Sequence, residues 1–177
     1  MATSVRPTRG EELVALPGDE IVPDANVVMD RAFTLDAAPA DVWPWFVQLG
    51  KRRAGWYLPR TVERFTPRSR RGLREIDAQW QGLAVGDVIP DWGGTDETFT
   101  VALIEAPSTI VHTSTRGNVR LSWAITLSGH DDTRVHLRLK LGGVKHRRLA
   151  EVGGGFFDWL TIYGLARGLR ERVRDQT

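Results

Sequence analysis

The closing stretch of the chain limits its possible folds more than any other feature. Val152 to Val173 carries Phe156, Phe157, Trp159, Leu160, Ile162, Tyr163, Leu165, Ala166 and Leu169, and turns strongly charged only near its end, with Arg167, Arg170, Glu171, Arg172 and Arg174. Its aromatic half is apolar nearly all round, which predicts a helix buried on more than one side. A helix of that kind needs a wall around it. The chain before it provides a run of alternating segments suited to form one.

Those segments are easy to place. Val27–Leu35 reads as a strand, and Asp36-Ala-Ala-Pro39 ends it. Pro39 suits the first position of a helix and Asp41 its first turn, with Val42, Trp43, Trp45, Phe46 and Leu49 apolar and Gly50 as the stop. Pro44 removes a backbone donor within that helix. A second short helix is predicted over 58–65 and a short strand over 83–89, followed by strands at 99–104 and 109–115. Val119–Leu127 and Val135–Leu141 then alternate as a hairpin with one dry and one wet face, which places His136 on the wet side. Helices and strands are segregated, so the fold class is α+β with an antiparallel sheet.

A length of 177 residues fits one domain. We divide it into an N-terminal arm, 1–26, partly flexible, and a single domain over 27–177. Thr8 and Glu11 have capping-box spacing within the arm. No apolar run reaches the ~18 residues of a membrane span, and no signal-type apolar core stands at the N-terminus, so a cytoplasmic location is expected. The chain has no cysteine, which excludes disulfides, thiolate metal sites and cysteine nucleophiles. The four histidines show no ligand spacing, and neither a GxSxG nor a Walker pattern is present, so neither a metal nor a cofactor is expected. Net charge is only +2, and the basic clusters 51–53, Arg68 to Arg74 and 145–148 lack interleaved aromatics. We read them as solvated loops, with no nucleic-acid partner expected.

The order of elements, PADVWPWF after the first strand, the Gly55-Trp56-Tyr57 lead into the second helix, VGDVIPDW at 85–92 and GGGFFDWLTIYGLARGLRERV at the end together resemble the SRPBCC or START-like superfamily over about residues 27–175. That superfamily includes polyketide cyclases, lipid carriers and plant hormone-binding proteins. The resemblance implies a helix-grip fold: a curved antiparallel sheet wrapped around the C-terminal helix, with a ligand cavity between them. It supplies no catalytic motif to carry over.

Seven tryptophans are many for this length, and large aromatics line pockets as well as cores. The candidate ligand-binding residues are Trp56, Tyr57, Trp92, His112, Trp123, Phe156, Trp159 and Tyr163. Trp56 and Trp92 would cap the entrance, while Trp123 faces the helix from the sheet. His112 and Asp158 are candidate acid/base groups: His112 shares a strand face with Ile110 and Ser114, and an Asp inside an apolar helix has its pKa raised. Three functions stay open at this point. The chain binds a small hydrophobic or aromatic molecule, polyketide-like or lipid-like; or it is a cyclase or dehydratase-type enzyme using the same cavity; or it is an interaction protein whose interior is filled. A cavity of a few hundred Å³ would favour the first two.

Overall fold

The computed structural model describes residues 4–94, 96–146, 148 and 150–176. Its elements are α1 (Arg9–Leu13), β1 (Val27–Leu35), α2 (Pro39–Gln48), α3 (Arg60–Glu63), β2 (Val88–Pro90), β3 (Thr98–Glu105), β4 (Thr109–Arg116), β5 (Val119–Ser128), β6 (Thr133–Gly142) and α4 (Gly155–Gln176). A π-helical turn, Ala150–Gly154, precedes α4. Arg147, within the third basic cluster, lies outside the described residues.

All six strands form one antiparallel sheet in the order β1-β6-β5-β4-β3-β2. The β5–β6 hairpin pairs Trp123 with Leu139 and Ile125 with Leu137, which places the apolar residues of both strands on one face. On that inner face Phe33, Leu35, Ile110, Ile125 and Leu137 meet Ile162, Leu165, Leu169 and Val173 of α4, together with Trp45 and Phe46 of α2. These α4 positions recur every three or four residues, so a single stripe of the helix enters the core. The sheet, its curl around α4 and the α+β class agree with the sequence reading.

Two parts differ from it. The aromatic half of α4 is not enclosed: Phe156 and Phe157 are about two-thirds exposed, and Trp159 and Leu160 are exposed as well. Only one stripe of a helix can face a single wall, and here that stripe is centred on Leu165 and Leu169. Arg172, on the charged end of α4, is fully buried instead. It donates to the carbonyls of Leu58, Gly72, Leu73 and Gly168 and pairs with Glu63 at 2.7 Å. A buried guanidinium persists only when its donors are satisfied in this way.

The face of β6 expected to be wet is also covered. His136 and Arg138 are buried beneath the N-terminal arm. Thr8 caps α1 with the reciprocal Glu11 bond. Arg138 then donates to the carbonyls of Glu11, Glu12 and Val14 and pairs with Asp19 and Asp30. His136 contacts the same Asp30 at 2.6 Å. The cover comes from residues more than 100 positions away, so strand alternation alone carries no sign of it.

Candidate functional site

Between the inner face of the sheet and the first turns of α4 lies a cleft of about 150 Å³. It is smaller than the few hundred Å³ that would hold a large ligand, yet it is not a plugged interior. Its walls include Trp56, Ile89, Trp92, Phe99, Trp123, Ile125 and Leu139, with His112 and Asp158 as polar groups.

Loop geometry brings Trp56 to the cleft. Gly50 and Gly55 bond to each other across a narrow pinch, both at positive φ, and an added Cβ at Gly50 would lie 2.8 Å from Ile89. The pinch turns the chain so that Trp56 packs at 5.5 Å from Trp92, edge to face, and at 6.3 Å from Trp123, stacked. The Trp56 indole donates to the Thr161 carbonyl of α4 at 3.3 Å, tying the loop to the helix. Trp92 stands half-exposed at the mouth. Its loop is held by Arg116, which pairs with Asp91, and by Lys51, which donates to the carbonyls of Asp91 and Gly94.

The sheet supplies the floor. His112 on β4 is registered opposite Trp123 on β5, and their rings stack at 5.5 Å. Phe99 on β3 meets His112 edge to face at 5.9 Å and Trp123 at 6.0 Å. His112 is 5% exposed, and its Nδ1 has no protein hydrogen-bond partner. Burial pushes the imidazole down from 6.5 to about 4; the Trp123 backbone opposes this and the charge of Arg53 adds to it. The ring is therefore neutral at pH 7, able to accept one hydrogen bond and donate another.

Asp158 approaches from α4. Its Oδ2 lies 2.9 Å from Nε of Arg31 on β1, but neither atom has a well-directed hydrogen bond. Arg31 instead donates to the carbonyls of Asp30 and Gly155. Burial pushes the Asp158 carboxyl up from 3.8 to about 6, against the opposing pull of Arg31. Two titratable groups with opposite shifts thus border one apolar cleft.

Of the sequence candidates, the structure brings Trp56, Trp92, His112, Trp123 and Asp158 together. Tyr57 is elsewhere: it is buried in the core and donates to the Trp45 carbonyl at 2.9 Å. Phe156, Trp159 and Tyr163 are also outside the cleft, stacked one on the next along α4, with Phe156 and Trp159 exposed and Tyr163 half-buried against the core. Phe99 and Thr161 line the cleft and were not singled out from sequence. The alternation of Phe99 with buried Val101 was the available signal.

Comparison with known proteins places the fold. No family model and no curated protein matches the sequence. Norcoclaurine synthase of Thalictrum flavum, solved as a point mutant with a transition-state analogue, aligns over 85% of this chain and 95% of its own at 11% identity, TM-score 0.51. A Rhodobacter sphaeroides protein aligns over 88% and 97% at 14% identity, TM-score 0.51. A Chromobacterium violaceum protein aligns over 85% and 97% at 14% identity, TM-score 0.50. The chain shares the fold of these structures, a helix-grip arrangement of a curved antiparallel sheet around a C-terminal helix. Among the described residues no helix is long and apolar enough to cross a membrane, and no cluster of three metal-ligating side chains occurs.

Proposed function

We propose that the protein binds a small hydrophobic, ring-bearing molecule in this cleft, with Trp56, Trp92, His112 and Trp123 as its ligand-binding residues. Residues 27–177 form the binding domain, and the 1–26 arm serves as cover for the outer face of the sheet. One observation carries the reading: an aromatic-walled cleft is bordered by a buried, neutral imidazole. A neutral imidazole in such a wall can exchange a hydrogen bond with a ligand hydroxyl. The fold is one in which norcoclaurine synthase is solved with a transition-state analogue.

Size narrows the class. A space of about 150 Å³ suits one substituted aromatic ring rather than a long acyl chain. Burying roughly 150–250 Å² of ring surface at about 25 cal/mol per Å² gives about 4–6 kcal/mol, a Kd between about 1 mM and 40 µM. Isothermal titration with phenols and their non-hydroxylated counterparts tests this. Phenols bind in that range and more tightly than the parent rings, and Trp92→Ala weakens them about two- to tenfold through loss of an aromatic wall. Absence of binding by any ring-sized compound at millimolar concentration overturns the proposal.

A second reading, a cyclase or dehydratase-type enzyme, rests on the opposite shifts of His112 and Asp158 beside one cleft. Turnover of a bound ligand that is abolished by His112→Ala or Asp158→Asn supports it. Turnover unchanged in both variants counts against it.

A further inference from the structure

The outer side of α4 plays no part in the cleft, and its chemistry is distinctive. Phe156, Trp159, Leu160 and Tyr163 are spaced three and four apart, and Val152 stands four before Phe156. Phe156, Trp159 and Tyr163 stack successively at 6.1 Å and 5.5 Å. Val152, Phe156 and Leu160 are 75%, 65% and 50% exposed. A contiguous apolar patch of this kind is unusual on a protein surface without a partner.

Both ends of the patch are basic. Before it stand exposed Lys145, His146 and Arg148. After it, Arg167 continues the same helical stripe, over the Tyr163 ring at 5.9 Å, while Arg170 donates to the Thr34 carbonyl and Arg174 is already engaged. Burial and the charges of Arg174 and Arg167 lower the pKa of Arg170, with Asp36 and Tyr163 acting the other way. The carboxylates of α4 face other partners. Asp158 pairs with Arg31, Glu171 with Arg74 and Asp175 with Arg60. Glu151, beside Val152, is already engaged.

We propose that this stripe, apolar in the middle and basic at both ends, docks the protein on an anionic lipid surface. Aromatic and aliphatic side chains would enter the headgroup boundary while Lys145, Arg148 and Arg167 meet lipid phosphates. Charge argues against a second copy as the occupant. A two-fold contact of the stripe with itself, run in either direction, sets cations against cations. Asp158, Thr161 and Ile162, on the cleft side of the same turns, line the cleft, so docking brings the cleft beside the bilayer. The proposal stands independently of which ligand the cleft takes.

Co-sedimentation of the full chain with vesicles tests it, comparing phosphatidylcholine alone with phosphatidylcholine mixed with phosphatidylglycerol. The expected result is binding to the anionic vesicles only, weakened by raised salt. Phe156→Ser/Leu160→Ser binds them about tenfold more weakly or worse, and Arg167→Glu also binds more weakly. The mutated side chains are exposed, and an unchanged thermal midpoint verifies folding. Should the double variant lose its fold, Arg167→Glu carries the test. No pelleting with anionic vesicles, equal pelleting with neutral ones, undiminished binding by the folded variants, or a patch-dependent dimer in place of vesicle binding each overturns the proposal.

Discussion

Asp158→Asn should stabilise the protein at neutral pH, and the gain should disappear in acid. Raising a carboxyl from 3.8 to about 6 corresponds to a penalty of about 3 kcal/mol on the ionised folded state, at roughly 1.4 kcal/mol per pH unit. The sign follows from proton binding. Between 3.8 and 6 the folded chain holds more protons at Asp158 than the unfolded chain, so stability falls as pH rises through this window and the full penalty is present above it. Asparagine keeps the shape and removes the charge. Urea unfolding of wild type and variant should therefore show the variant more stable by about 3 kcal/mol near pH 7.5, narrowing to about 1 kcal/mol near pH 4.5. Taking the difference between the two proteins at each pH cancels every other titration. A variant that is less stable than wild type by the same amount at both pH values would refute the reasoning, because it would mean that the 2.9 Å contact with Arg31 outweighs burial. A carboxylate kept at such a cost is what a binding or catalytic site displays.

Two further outcomes follow from the geometry. An added Cβ at Gly168 would lie 2.5 Å from the Tyr57 carbonyl oxygen and 2.8 Å from the Leu58 carbonyl carbon, whereas Gly155 meets nothing within 4 Å. Gly168→Ala should destabilise by about 1–3 kcal/mol and Gly155→Ala should stabilise by about 0.5–1 kcal/mol, read as opposite shifts in Tm. The His112 ring should titrate with a midpoint of about 4 by NMR, and a midpoint near 6.5 would show that the ring is solvated. Its stabilising contribution, unlike that of protonated Asp158, is lost as pH falls through the window from 6.5 to 4.

Local pattern made much of this fold legible. The observed β1 and its predicted span coincide at Val27–Leu35, and α2 starts at Pro39 as its sequence demands. The β5–β6 hairpin follows from strict alternation. Pattern failed where the environment is set from far away in sequence. His136 and Arg138 alternate like solvent-facing residues, yet Glu11 to Asp19 cover them. The 152–163 stretch is apolar nearly all round, so its periodicity gives little phase to say which side meets the sheet. Tyr57 sits one residue from Trp56, and local pattern does not say which of the two is fully buried after the Gly50–Gly55 pinch. The cleft was legible as aromatic but not in its boundaries, since Phe99 reaches it from a strand whose pairing shifts between Val101 and Leu103.

The most direct measurement is a proton–nitrogen NMR titration with a phenol, following the indole signals of the seven tryptophans. The account predicts shifts at Trp56, Trp92 and Trp123, which wall the cleft, and none at Trp159 on the outer side of α4. Shifts confined to Trp159, or no shift at any indole under saturating phenol, would contradict it.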